Sequence, residues 1–188
     1  MKMGIIAEDD SDVAVISVIT LKLLKPHIVG FKKFVSGGCG KLQRKCSAWA
    51  RILVQQGCSW IVVIHDLDDY NERKLRNQLA ASVAPAGAQA TVVLIPKREI
   101  EAWLLYDSKA IAAAFRQTLL LALPGNPESL WDPKKYLRDL VWKKYRKVYI
   151  NTLHNFKIAE HIKVSTLRRS RSFSPHFNFA VRVAAMLR

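Results

Sequence analysis

Trp60-Ile61-Val62-Val63-Ile64-His65-Asp66-Leu67-Asp68-Asp69 decides the fold. Its first half is an unbroken apolar, largely β-branched run. Such a run suits a strand covered on both faces, as in a parallel sheet, rather than the alternating strand of a half-exposed sheet. It then stops abruptly in acids. Working outward, residues 3–7, 28–35 and 91–95 read as further strands. Between them lie helical periods at 12–24 (Ser11 or Asp12 as cap), at 42–56 (Leu42, Cys46, Trp49 and Leu53 on one face) and at 71–81. Residues 99–121 read as mostly helical. The β-α-β-α order predicts an α/β fold, a mostly parallel sheet flanked by helices. Trp60, Trp103 and Leu104 are expected in its core.

Pro124-Gly125-Asn126-Pro127 is a strong breaker. Helical pieces follow at 133–142, 158–169 and 175–187. The expected organisation is an α/β core over 1–123 and a basic helical C-terminal extension over 124–188, packed on that core. About 60 residues would make a marginal core alone.

Charge divides the chain in the same place. The net charge is +15, and residues 133–188 carry fourteen Lys or Arg against two acids. A segment this basic suits a polyanion, because neutralised phosphates release condensed counterions. Nucleic acid, DNA or RNA, is therefore the expected partner. Half the residues are hydrophobic, which excludes a disordered chain. No apolar stretch reaches the roughly 20 residues of a membrane helix. The first eight residues turn acidic too early for a signal peptide. Three widely spaced cysteines, Cys39, Cys46 and Cys58, form no disulfide or zinc pattern, and a cytoplasmic location is expected.

Nine of the fifteen acids lie in three short segments: Glu8, Asp9, Asp10 and Asp12; Asp66, Asp68 and Asp69; Glu99 and Glu101. Each segment follows a predicted strand, and open α/β sheets form sites outside the carboxyl ends of their strands. Gathered carboxylates repel unless a cation sits among them, and hard oxygen ligands suit Mg²⁺ or Mn²⁺. Asp66 and Asp68 leave a buried strand together and are expected to reach one ion. Glu8, across the sheet edge, is the candidate general acid/base or further metal ligand. Asp12 is expected to serve only as a helix cap. His65 is expected to pack at the strand end.

Strand–Glu8–turn–helix followed by strand–Asp66-x-Asp68 resembles the TOPRIM domain of topoisomerases, bacterial primases and the overcoming-lysogenization-defect nucleases. Glu99-Ile100-Glu101-Ala102-Trp103-Leu104 is similar to the Glu-Ile-Glu-Asn-Tyr-Leu type of segment in the nuclease branch. The whole chain resembles most the bacterial family called domain of unknown function 4276, through residues 5–12, 63–68 and 96–107, the stretch beginning Trp131-Asp132-Pro133-Lys134-Lys135, and Arg171-Ser172-Phe173-Ser174-Pro175. The resemblance implies a Mg²⁺- or Mn²⁺-dependent nuclease. Glu8 would be its TOPRIM glutamate, Asp66 and Asp68 its metal pair, and Glu101, less surely Glu99, an added acid. It also implies an anti-phage setting, sometimes with an ATPase subunit. Asp9 departs from the small residue usual after the glutamate, and His65 from the usual apolar one.

The candidate nucleic-acid contacts are Lys41, Lys97, Lys143, Lys144, Arg146, Lys147, Arg168, Arg169 and Arg171. Lys143-Lys144-Tyr145-Arg146-Lys147 mixes cations with an aromatic, as backbone tracking with base stacking requires, although a solvated helix face reads the same. Ser36-Gly37-Gly38-Cys39-Gly40-Lys41 is glycine-rich but lacks the P-loop spacing. Three rival readings stand beside the nuclease. A receiver domain would use Asp9, Asp10 and Asp66, but wants a lysine before the proline, where Pro96 precedes Lys97. A haloacid-dehalogenase phosphatase would place its Asp-x-Asp on the first strand. A TOPRIM-shaped subunit would bind nucleic acid and cut only with a partner, or never.

Overall fold

The computed structural model describes residues 1–187; Arg188, the last charge of the basic segment, lies outside them. Among the described residues, β1 (Lys2–Ala7), β2 (Gly30–Val35), β3 (Trp60–Ile64) and β4 (Ala90–Leu94) form one sheet in the order β2-β1-β3-β4. Every pairing is parallel; Met3 stands opposite both Phe31 and Trp60, and Trp60 opposite Ala90. The α/β reading of the chain is therefore correct.

Helices α1 (Asp10–Leu24), α2 (Cys39–Gln55) and α3 (Glu72–Val83) connect the strands. Alternation along each strand sorts the core into two layers. Met3, Ile5, Trp60, Val62 and Ile64 pack with Val15, Ile16 and Ile19 of α1. Ile6, Ile61 and Val63 pack with Leu42 and Leu53 of α2 and Leu75 and Leu79 of α3. Gly4 permits the second layer to close: a Cβ there would stand 2.7 Å from Leu53 Cδ1.

The rest of the chain forms α4 (Glu101–Leu104), α5 (Ser108–Ala114), α6 (Pro133–Tyr145), α7 (Asn151–His161), α8 (Val164–Leu167) and α9 (Ser174–Met186). Leu137 and Val141 of α6, Ile158 of α7, and Phe179 and Val183 of α9 share the α1 layer of the core. Trp60, Trp103 and Leu104 are buried, as expected.

Several boundaries differ from the sequence reading. Residues 99–121 hold only two short helices, of 4 and 7 residues, rather than being mostly helical. Asp107 interrupts them: its side chain accepts from Ala110 N, so it caps α5 instead of continuing α4. Arg116 then turns left-handed (φ 53°), and no helix follows until Pro127. α7 begins at Asn151, not near 158, and ends before Ile162. α1 starts at Asp10 with Asp9 as its cap, rather than Ser11 or Asp12. Asp9 Oδ1 accepts from Asp12 N and Asp12 Oδ2 from Asp9 N, a reciprocal capping box. The unusual Asp9 thus has a local structural role.

Candidate metal centre

Strand order 2-1-3-4 makes the chain leave β1 toward β2 and return on the other side through β3. The carboxyl ends of β1 and β3 therefore flank the topological switch point, where open α/β sheets form their crevice. Glu8 follows β1, and His65 and Asp66 follow β3. Asp66 N–H donates to Glu8 Oε1 at 3.0 Å, and His65 Nδ1 lies 2.9 Å from the same oxygen. His65 is fully buried, packs edge-on to Tyr70 at 5.5 Å and reaches Gln43 through Nε2. Burial works to lower its pKa, but the bond to Glu8, the Glu8 charge and the Asp66 carbonyl raise it on balance. Its strand-end packing also orients Glu8. Gly37 N donates to the Glu8 carbonyl, so the glycine-rich loop closes over the same residue.

Behind Asp66 stand acids from two other segments. Asp12 is 5 % exposed; burial first, then the charges of Asp9 and Glu101, hold its carboxyl well above the usual range. Asp66 is raised well above it too, by burial and then by Asp12, Glu8 and Glu101. Asp66 Oδ1 is buried without a hydrogen-bond partner. Glu101, 2 % exposed, accepts at Oε1 from Tyr149 Oη (2.8 Å) and Asn155 Nδ2 (3.0 Å); the Asn155 amide also donates to Ser11 Oγ. Burial and the neighbouring Glu101 push the Tyr149 phenol pKa up, so it remains a donor. Glu99 is raised by burial; its Oε2 accepts from Lys134 N.

Lys134, in the first turn of α6, sends its Nζ to within 3.8 Å of Glu99 and 3.9 Å of Glu101. Burial disfavours its charge, yet Glu101, Glu99 and Asp66 together raise its pKa. One lysine thus faces several buried or half-buried carboxylates. Asp12 was expected only to cap a helix, and Lys134 carried no expectation. No local signal separates Lys134 from Lys135, which pairs with Asp139 one turn on along the exposed face.

Asp68 stands differently from Asp66. It is exposed and left-handed (φ 43°), and its pKa is raised by burial and then by Glu8. Together with Asp69 and Glu99 it lines an adjoining hollow of about 610 Å³. Among the described residues no three His, Cys, Asp or Glu side chains form a ready-made ion cage. The donor set nonetheless suits a hard divalent cation. Mg²⁺ commonly takes one or two carboxylates and completes its shell with water and substrate phosphate. Asp66 Oδ1, buried and without a hydrogen-bond partner among these acids, is the donor best placed for such a cation.

The candidate basic residues are spread over several parts of the fold. Lys97, Arg169 and Arg171 line one hollow of about 520 Å³, next along the chain from Arg98 in the acid-lined one. Two of these cations are already engaged: Lys97 Nζ is 2.6 Å from Glu72 Oε2, and Arg169 lies over the Tyr106 ring. Arg168 covers Phe177. Lys41 is exposed near the start of α2. Lys143, Lys144 and Arg146 are exposed at the far end of α6, about 14 Å along its axis from Lys134. Lys147 Nζ is tied to the Phe115 carbonyl. The stacking role considered for Tyr145 is corrected: its ring is buried against Phe115, and its hydroxyl donates to the Leu119 carbonyl.

Fold and site together define a doubly wound α/β protein with a carboxylate centre at its switch point. The family described as Domain of unknown function (DUF4276) matches residues 8–179, nearly the whole chain, and the chain belongs to that family. No curated protein and no solved structure matches it. Among the described residues no helix is long and apolar enough to cross a membrane.

Proposed function

We propose that this chain is a divalent-cation-dependent phosphodiesterase of TOPRIM type that hydrolyses nucleic acid, with anti-phage defence as its setting. The observation that carries the reading is the buried, under-compensated carboxylate cluster at the switch point, with Asp66 Oδ1 unpartnered. Asp66 and Glu8 would hold Mg²⁺ or Mn²⁺, with Asp68 joining from the adjoining loop. Such an ion, when bound, polarises a phosphoryl oxygen and lowers the pKa of a coordinated water. His65 and the Asp66 amide orient Glu8 for ion or proton. Tyr149 and Asn155 fix Glu101, and Lys134 offers positive charge to a phosphate entering beside it. Lys97, on the loop after β4 that also carries Glu99, lines the second hollow with Arg169 and Arg171 from the α8–α9 connection, where the backbone of a bound strand would continue.

One feature favours a partner-dependent variant of this reading. Asp68 sits outside the cluster in an exposed left-handed turn, so a complete ligand set requires that loop to close. Substrate or a second subunit, such as an ATPase, would supply the contact.

The test is cleavage of plasmid, single-stranded DNA and tRNA with Mg²⁺ and with Mn²⁺. The wild type should cut at least one of them only with the cation, and Asp66→Ala should lower the rate roughly a thousandfold or more. Cutting undiminished in Asp66→Ala would refute the assignment. Salt-sensitive binding without cutting would leave the non-catalytic or partner-dependent reading.

A further inference from the structure

The acid-lined hollow carries an aromatic plate that the centre itself does not use. Trp131 is 73 % exposed, the most exposed aromatic side chain among the described residues. One face of its ring is covered: the Arg98 guanidinium lies 3.8 Å from the ring centroid. Arg98 is itself fixed. It donates through Nη1 to the Asp68 carbonyl (2.8 Å) and to Asp69 Oδ1 (3.0 Å), and its backbone is left-handed (φ 65°). Non-glycine residues hold that conformation uncommonly, often at functional sites. Arg98 thus joins the loop after β3 to the loop after β4 and lays its guanidinium against the Trp131 ring at the entry to α6.

The hollow has the size of a small-molecule site, within roughly 300–1,000 Å³. Asp68 and Glu99, on its wall, link it directly to the carboxylate centre. A plate with one face held and the other largely in water suits a flat, apolar-faced ligand group.

We propose that Trp131, held by Arg98, is a stacking platform for an unpaired nucleobase next to the scissile phosphate, so that the centre selects single-stranded or frayed nucleic acid. This rests on the nuclease reading above. A base can stack on a side chain only after it leaves its duplex stack, and every base offers a π-face, so the platform confers strand state and not sequence. Lys97 precedes Arg98 in the chain and Lys134 follows Trp131; each holds an acidic partner, with which a flanking phosphate would share its charge.

The test uses a 12-nucleotide mixed-sequence DNA, its RNA counterpart and the blunt DNA duplex. Binding is read by anisotropy and by quenching of tryptophan emission, in Trp131→Ala and Trp131→Phe, each carried in the wild type and in the Asp66→Asn background. Trp131→Ala should weaken one or both single strands about 5- to 100-fold, Trp131→Phe should restore most of the affinity, and duplex affinity should change less than about twofold. The share of the quenching that comes from Trp131 should be lost equally in both variants. Equal affinity in all three proteins would overturn the inference and leave Trp131 as a protein-contact residue. Equal weakening on single strand and duplex, or no rescue by Phe, would overturn it as well. The two readings fail separately: binding that behaves as described without any cleavage sinks the nuclease alone. Cleavage with unchanged KM in Trp131→Ala sinks the platform alone.

Discussion

His176 offers a test of how the C-terminal helices belong to the fold. Its imidazole, on α9, is fully buried; Nε2 meets Thr20 Oγ1 of α1 at 2.9 Å, and Phe173 and Trp103 flank the ring. Nδ1 has no partner. Protonation would place a second N–H in that apolar pocket, so burial depresses the pKa from 6.5 to about 3. Between those values the unfolded chain binds a proton that the folded chain refuses. Stability from this group is therefore full above pH 6.5 and falls as the pH drops toward 3, by about 1.4 kcal/mol per unit. Across the whole window that amounts to about 4–5 kcal/mol, a large part of a typical domain's stability. Asp12 and Asp66, with raised pKa values, work in the opposite direction, so the comparison needs a variant. Urea unfolding of the wild type and of His176→Phe should be followed by circular dichroism at pH 7, 6, 5 and 4.5. Relative to pH 7, the variant should gain about 2–3 kcal/mol on the wild type by pH 4.5. Both should unfold in one transition, since the ring bridges α1 and α9. A stability difference that is independent of pH would refute the reasoning.

Further predictions concern the site and the basic helix end. Asp66→Asn removes one buried charge from a repelling set whose folded pKa values lie above their unfolded ones. At pH 7 without divalent cation it should stabilise the protein by about 1–2 kcal/mol, seen as a raised Tm, and this gain should shrink as the pH falls through the carboxylate range. Tyr149→Phe should cost about 1.5–3 kcal/mol by leaving buried Glu101 one donor short, read by urea unfolding. Changing Lys143, Lys144 and Arg146 to Ala should flatten the salt dependence of duplex binding by up to about 0.9 for each phosphate no longer neutralised. An unchanged slope places the binding surface elsewhere.

The sheet was legible because its two central strands and β4 are largely apolar runs, and the candidate site's location because three acid segments follow strands. Glu8, Asp66 and Glu101 do converge. The second role of Asp12 was hidden, since an acid at a helix start is explained by capping, which it also performs. Lys134 and Lys135 are adjacent and chemically identical in sequence, and only the path of α6 sends one to the acids and the other to solvent. Tyr149 and Asn155 meet Glu101 across about fifty residues of chain, which no local pattern encodes. Asp66-x-Asp68 suggested two side chains on one ion; Asp66 stands half-buried beside Glu8, and Asp68 stands in an exposed left-handed turn under the influence of the same Glu8 charge. Tyr145 looked like a stacking residue because its neighbours are cationic, yet its position on α6 faces the core, and the most exposed aromatic among the described residues is Trp131.

Asp66 and Glu8 already stand together without substrate, so the account expects them to bind the ion before Asp68 and a substrate phosphate complete its shell. Mn²⁺ binding followed by electron paramagnetic resonance, with calorimetry for Mg²⁺, tests this directly. The wild type should bind Mn²⁺ stoichiometrically, and saturation at about 100 times Kd should stabilise the fold by about 2.7 kcal/mol. Asp66→Asn should abolish both effects. Equal Mn²⁺ affinity in the variant, or no binding by a folded wild type, would contradict the account.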